Sequence, residues 1–170
     1  MRNNSNLVKR GLFYGRFQPF HNGHYSVIEQ MDRDGLDEII IGVSSSQETG
    51  TIRNPFTAEE RREMITQSLD ITKKVHLVNL YDQYECNKWV AHIEEVCPNF
   101  DYLYICNNHL RELFQTNGYL VREFERVDGI SATNVRQAIA SSGNWEQYVH
   151  PKVKEVILAV NGVERIRRMK

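Results

Sequence analysis

The stretch Glu38-Ile39-Ile40-Ile41-Gly42-Val43 limits the fold more than any other part of this chain. A strand with one wet face alternates apolar and polar residues. An unbroken β-branched run reads instead as a strand covered on both faces, as in a parallel sheet flanked by helices. Shorter apolar runs at 11–14, 75–78 and 102–105, and a weaker one at 119–121, read as further strands. Helical spacing fills the intervals at 23–31, 58–69, 89–96 and 110–114. Strands alternating with helices predict an α/β fold, an open parallel sheet with helices on both faces. Beyond about residue 131 only helical patterns remain, at 133–140, 145–149, 152–160 and 163–169. No repeat or linker separates this stretch. The expectation is therefore one domain over 1–170, with 1–6 frayed and 131–170 as its helical C-terminal end.

The charge balance narrows the function. Lys and Arg total 21 against 22 Asp and Glu, a formal net charge of −1. Such a chain presents no global attraction to nucleic acid or an anionic membrane, so any anion site must be built locally. No apolar run reaches membrane-spanning length, and the first nine residues are polar rather than signal-like, so the expected setting is cytoplasmic. Cys86, Cys97 and Cys106 lack Cys-x-x-Cys spacing and read as reduced thiols, not as a disulfide pair or zinc site.

The chemistry concentrates in Gly15-Arg16-Phe17-Gln18-Pro19-Phe20-His21-Asn22-Gly23-His24, which follows the first strand and opens a helix. Ligands of open parallel sheets bind beyond the carboxyl ends of strands. Free backbone N–H groups and the dipole of a helix N-terminus favour an anion there. His21 and His24, three apart across Gly23, can face one small volume, and Gly23 lets the backbone approach a ligand. Arg16 adds a permanent cation whose fork suits phosphate oxygens. No nearby Cys, Asp or Glu completes a metal set, so phosphate fits this turn better than a resident metal. Further on, Ser131 and Thr133 stand at a helix start and Arg136 three residues later, so its reach and the helix dipole meet at one anion. Thr57 with Glu60 three residues on forms a capping-box pattern, and Asn54 and Pro55 shape the loop before it.

The segment from Gly15 to His24 resembles the signature of the His-x-Gly-His nucleotidylyltransferases, particularly the archaeal-type nicotinamide mononucleotide adenylyltransferases. Ile130-Ser131-Ala132-Thr133-Asn134-Val135-Arg136 is similar to their second signature, Ser-x-Thr-x-x-Arg. Ile52-Arg53-Asn54-Pro55-Phe56-Thr57-Ala58-Glu59-Glu60-Arg61 and the ending Asn161-Gly162-Val163-Glu164-Arg165-Ile166 resemble that subfamily too. The matches run in order from about residue 10 to the end. They imply a Rossmann-like fold and the reaction of ATP with nicotinamide mononucleotide to give NAD and pyrophosphate. On this resemblance Gly15, Arg16, Phe17, His21, Gly23, His24, Ser131, Thr133 and Arg136 would bind ATP. His21, His24, Arg16 and Arg136 would carry catalysis, and Mg²⁺ would come with the polyphosphate. Arg53, Asn87 and Trp89 would bind the mononucleotide, Trp89 by stacking on the cationic ring. The family tends to form homo-oligomers.

Two stretches depart from the relatives. Asp82-Gln83-Tyr84-Glu85-Cys86-Asn87-Lys88-Trp89 places its asparagine one residue out of their Glu-x-Asn-x-x-Trp spacing, and Cys106 stands where they carry glycine. Nicotinate mononucleotide, flavin mononucleotide and phosphopantetheine are the alternative acceptors, and a nucleotide sensor without turnover is the alternative class. The remaining histidines read as structural, and the basic end from Arg165 to Lys170 as a solvated helix terminus rather than a nucleic-acid contact.

Overall fold

Strand β1 (Arg10–Gly15) leads through α1 (Asn22–Arg33) to β2 (Glu38–Val43), α2 (Ala58–Ser68) and β3 (Lys74–Asn79). Then follow α3 (Cys86–Val96), β4 (Tyr102–Tyr104), α4 (Asn108–Thr116) and β5 (Leu120–Arg122). The chain ends in α5 (Ala132–Ala140), a 3₁₀ turn at Glu146–Tyr148, α6 (Pro151–Ala159) and α7 (Gly162–Arg168). This computed structural model describes residues 8–83, 85–105, 108–124 and 127–169. The segment expected to fray, 1–6, and the loop residues Cys106 and Asn107 lie outside them.

The strands pair in parallel in the order β3-β2-β1-β4-β5, giving the open α/β sheet that the sequence pattern predicts. Register explains the run in β2. Ile39, Ile41 and Val43 join Phe13 on one face, under α1, α2 and the C-terminal helices. Ile40 joins Leu12 and Leu103 on the other, under α3 and α4. Ile39, Ile40 and Ile41 are all fully buried, and burial of each such side chain stabilises by about 1.5–3 kcal/mol. Val135, Val153, Ile157, Val163 and Ile166 of the helical end belong to the same core cluster as Phe13 and Ile41.

The chain winds from β1 out to β3, then returns to place β4 on the other side of β1. Helix α1 leaves β1 toward one face while α4 leaves β4 toward the other. The connections diverge there, and the crevice between them lies beyond the carboxyl ends of β1 and β4. Thr57 caps α2 as expected: its hydroxyl accepts from Glu60 N at 3.2 Å, and Thr57 N donates to Glu60 Oε2 at 2.9 Å. One expected element differs. The helix read at 145–149 is only the 3₁₀ turn, because Pro151 starts α6 and holds His150 in extended geometry (φ −62°, ψ 145°).

Candidate active site

A cavity of about 330 Å³ opens in that crevice. Gly15, Arg16, Phe17, Gln18, His21, Gly23 and His24 form one wall, and Ser131, Thr133 and Arg136 the other. Phe13, Tyr14, Val27, Phe124, Val127 and Ile130 add a less polar surface. The N-termini of α1 and α5 therefore meet across one space, and their unpaired N–H groups make it favourable for an anion. Ser131 caps α5, its hydroxyl accepting from Asn134 N at 3.1 Å.

His21 is the N-cap of α1 and is 7% exposed. Its backbone N–H donates to His24 Nδ1 at 3.2 Å. With Nδ1 occupied as acceptor, the neutral His24 ring carries its proton on Nε2 and has that donor left for a ligand. The two rings stack with centroids 3.6 Å apart, and Phe17 meets His24 edge-on at 4.8 Å. Burial pushes His21 down to about 4. Burial, and then the neighbouring His21, hold His24 well below the ordinary histidine value. Both are thus neutral near pH 7 in the unliganded protein, acting as hydrogen-bonding rings rather than cations. A Cβ on Gly23 would stand 3.1 Å from His21 Cε1 and Nδ1, so glycine lets that ring lie over the turn. Phe17 adopts φ +51°, the left-handed conformation that reverses the chain between β1 and α1.

Positive charge is supplied by arginines. Arg136 Nη1 donates to Gln18 O at 2.8 Å, and Nη2 reaches Thr133 Oγ1 at 3.3 Å. Desolvation lowers the pKa of Arg16 and Arg136, and each is lowered further by Arg53, with Arg16 and Arg136 also in each other's field on the Arg136 side. Arg53 is exposed on the loop before α2 and lies outside the cavity wall. Among the described residues none of the three forms an ion pair with a carboxylate. Asp82 acts on Arg16 in the opposite sense, and two guanidinium groups at one cavity with a third in their field favour a polyanion there.

The residues read as an acceptor pocket are less closely gathered. Trp89 is half-buried on α3 and outside the cavity wall; its Nε1 donates to Tyr14 Oη at 3.2 Å and its ring meets Tyr14 edge-on at 5.5 Å. Tyr14 lines the cavity, and burial raises its phenol to about 12, so it stays protonated. The side chain of Asn87 lies outside the described residues, as do Cys106 and Asn107.

Sequence reasoning missed two residues. Arg61 is fully buried and donates to the carbonyls of Arg16 (2.7 Å), Ser44 (2.7 Å), Ser45 (3.1 Å) and Thr57 (3.1 Å). Burial lowers it to about 10, so it remains a cation that ties the ends of β1 and β2 to α2. A signal existed: the buried stripe Ala58, Arg61, Met64, Ile65, Ser68 puts an arginine where α2 calls for an apolar residue. Gln18, 1% exposed, spans the cavity's loops through its amide. The basic end is also less solvated than expected. Arg165 pairs with both Glu60 carboxylate oxygens at 2.6 and 2.8 Å, and Arg167 donates to Ile139 O at 3.1 Å. Three of the other histidines keep structural partners: His76 pairs with Glu38 at 2.7 Å, His92 Nε2 accepts from Tyr81 N at 3.0 Å, and His150 caps α6, while the side chain of His109 lies outside the described residues.

Comparison with known proteins adds independent evidence. Residues 12–138 match the cytidylyltransferase-like family. A nicotinamide-nucleotide adenylyltransferase of Methanoculleus marisnigri is 41% identical over 166 residues, covering 95% of this chain and 98% of that protein. The protein of that name in Thermococcus onnurineus is 39% identical over 168 residues, covering 96% of this chain and 89% of its own. Among solved structures, a bifunctional NMN adenylyltransferase/ADP ribose pyrophosphatase of Francisella tularensis, complexed with AMP and Mn ion, superposes with TM-score 0.71 at 23% identity. That alignment covers 91% of this chain, which spans half of the bifunctional protein (50%). A Plasmodium falciparum nicotinic acid mononucleotide adenylyltransferase complexed with NaAD gives 0.63 at 15% identity over 92% of this chain and 98% of that one. At these identities the solved structures share the fold.

Proposed function

The chain belongs to the cytidylyltransferase-like family, among relatives that are archaeal nicotinamide-nucleotide adenylyltransferases, and from that membership we infer that it transfers the adenylyl group of ATP to nicotinamide mononucleotide, giving NAD and pyrophosphate. The single observation that carries the reading is the convergence of Arg16 and Arg136 on a cavity flanked by His21 and His24, with Arg53 close enough to act on both. The cavity suits a triphosphate, and its contents suit transfer rather than storage.

The nucleophile is an oxygen of the mononucleotide's own phosphate. It forms a P–O bond to the α-phosphorus of ATP while the bond from that phosphorus to the bridging oxygen breaks, and pyrophosphate departs. The attacking oxygen is already anionic, so no strong general base is needed. Catalysis reduces to aligning two polyanions and neutralising the charge that builds on the α-phosphate and the leaving group. His24 Nε2–H, the neutral His21 ring and the N-terminal turn of α1 would hold the phosphates from one side. Arg16 would bridge them, and Arg136 with the N-terminal turn of α5 would hold them from the other. Arg53 would close over a phosphate from its exposed loop. Mg²⁺ enters with ATP as part of the substrate. The described residues gather no three His, Cys, Asp or Glu side chains as a ligand set, so the donors in this reading are the polyphosphate oxygens.

The acceptor's flat cationic ring would stack on Trp89, steadied by Tyr14, and Asn87 would bond its carboxamide. The reading carries a cytoplasmic homo-oligomer acting on small molecules rather than nucleic acid. No helix among the described residues is long and apolar enough to cross a membrane. Purified protein given ATP, Mg²⁺ and nicotinamide mononucleotide is expected to form NAD, read with a coupled dehydrogenase, with one pyrophosphate per NAD. Product formed faster from nicotinate mononucleotide, flavin mononucleotide or phosphopantetheine would reassign the acceptor. ATP binding with no product from any of them would make the protein a sensor.

A further inference from the structure

Gln18 lies inside the signature loop, and both polar atoms of its side chain and its backbone carbonyl have partners within the protein. Its side-chain Nε2 donates to Phe56 O at 2.8 Å, and Phe56 N donates to its Oε1 at 2.9 Å. The two bonds resemble one rung of a β-ladder made by an amide side chain. They fix which end of the amide is which, because Phe56 offers one donor and one acceptor. The backbone carbonyl of Gln18 accepts from Arg136 Nη1 at 2.8 Å. The two bonds to Phe56 are buried and shielded from water, and the bond to Arg136 is part-buried at the cavity wall.

The positions of those partners matter. Arg16 stands two residues before Gln18 and His21 three after it. Arg53 stands three residues before Phe56, on the exposed part of a loop whose other end is held at the α2 cap. Three cations that raise one another's energy must be kept at fixed spacing by something other than attraction. Gln18 bonds directly to the loop of Arg53 and to the guanidinium of Arg136, and shares its own turn with Arg16.

We propose that Gln18 is a positioning residue for adenylyl transfer, setting the distance between the Arg16–His24 turn, the Arg53 loop and Arg136. The proposal rests on the reading of this cavity given above. Gln18 touches neither reacting phosphate; it acts through the arginines, and misplacing them by about 1 Å costs on the order of 10²-fold in rate.

Gln18→Met keeps the side chain's length and removes both bonds to Phe56. Its kcat is expected to fall about 10- to 100-fold. The test is a cycle with Arg53→Ala, assayed well below every variant's melting temperature, with Ile65→Val as a core control that loosens packing away from the cavity. If Gln18 works through Arg53, the double variant loses much less than the product of the two single losses. Losses that multiply in full, or a Gln18→Met enzyme with wild-type kcat and only a lowered melting temperature like the control, overturn the proposal. Should Gln18→Met not fold, Gln18→Leu, which removes the same two bonds without adding a charge, carries the same cycle. ATP affinity is measured on the same proteins by calorimetry. A wild type that binds ATP and forms no dinucleotide overturns the reaction assigned above. In that case Gln18 is judged by whether ATP affinity drops in Gln18→Met and the drop is absorbed in the Arg53→Ala background; independence there overturns it too.

Discussion

The two halves of this site are built in different ways. The half read here as binding phosphate is assembled from chain neighbours: seven of its lining residues come from the single turn between Gly15 and His24, and four from the cap and start of α5. Several are bonded to one another, as His24 is to His21 and Arg136 to Gln18. On the proposed reading the acceptor half rests on Trp89, which meets the cavity through a hydrogen bond and a ring contact to Tyr14, 75 residues away in sequence. A short contiguous turn can hold phosphate because backbone N–H groups and a helix dipole come with the fold itself. A ring-recognising pocket needs side chains gathered from separate elements. On that reading the reaction class and the acceptor are specified by largely separate parts that meet at Tyr14, and most changes in one should leave the other standing.

The largest expected effect tests the phosphate half. His24→Ala removes a preorganised Nε2–H donor and should lower kcat about 10²- to 10³-fold, the usual cost of losing one donor to developing oxyanion charge. KM for the mononucleotide should change little, because in the proposed reading that donor serves ATP. Steady-state kinetics with both substrates varied will check this. A rise in mononucleotide KM with kcat intact would join the halves that the structure keeps apart.

Acidity separates the same halves by stability. The folded His21 is held down near 4 by burial, against an ordinary value of about 6.5, so the unfolded chain binds more protons between those limits. A depressed folded value means its contribution to stability is full above about 6.5 and is lost as pH falls toward 4, up to about 3 kcal/mol by the shift alone. His24, also depressed, acts in the same direction. Glu38, lowered to about 2 by its bonds to Arg10 and His76, contributes in a separate window below about 4.5. The melting temperature should fall between pH 6.5 and 4.5. His21→Asn, a good N-cap without a titrating ring, should flatten part of that slope. An unchanged slope would mean that the phosphate turn is not the acid-sensitive part of the fold.

How far each half could be read from sequence follows from the same difference. The sheet was legible because β2 carries its burial on both faces in consecutive letters, Ile39 and Ile41 to one side and Ile40 to the other. The strand-to-helix turn was legible because Arg16, His21, Gly23 and His24 are close in sequence as well as in space. Gln18 was not, because an amide that bonds to Phe56 looks in sequence like any polar loop residue. Arg61 was hidden differently: its charge suggested a surface, while its place in the apolar period of α2 indicated the core. Arg165 was read as a solvated end because Glu60, its partner, is 105 residues away. Contacts that depend on how helices pack have no local signal.

Trp89 offers the smallest effect and the sharpest test of independence. A cation–π contact that is partly desolvated is worth about 1–2 kcal/mol, which corresponds to roughly a 5- to 30-fold change in binding. Trp89→Ala should raise KM for the mononucleotide within that range, with KM for ATP within about twofold, since the indole lies outside the cavity wall and meets it through Tyr14. The substitution also leaves Tyr14 without the donor at its hydroxyl, so Trp89→Phe is the needed comparison: it keeps an aromatic face and loses the same hydrogen bond. If stacking carries recognition, the phenylalanine variant recovers most of the acceptor affinity. If the bond to Tyr14 matters more, through the placement of the cavity wall, both variants weaken alike and ATP binding weakens with them. The second pattern would make Trp89 a support for the phosphate half, and acceptor recognition would have to be sought elsewhere in the crevice.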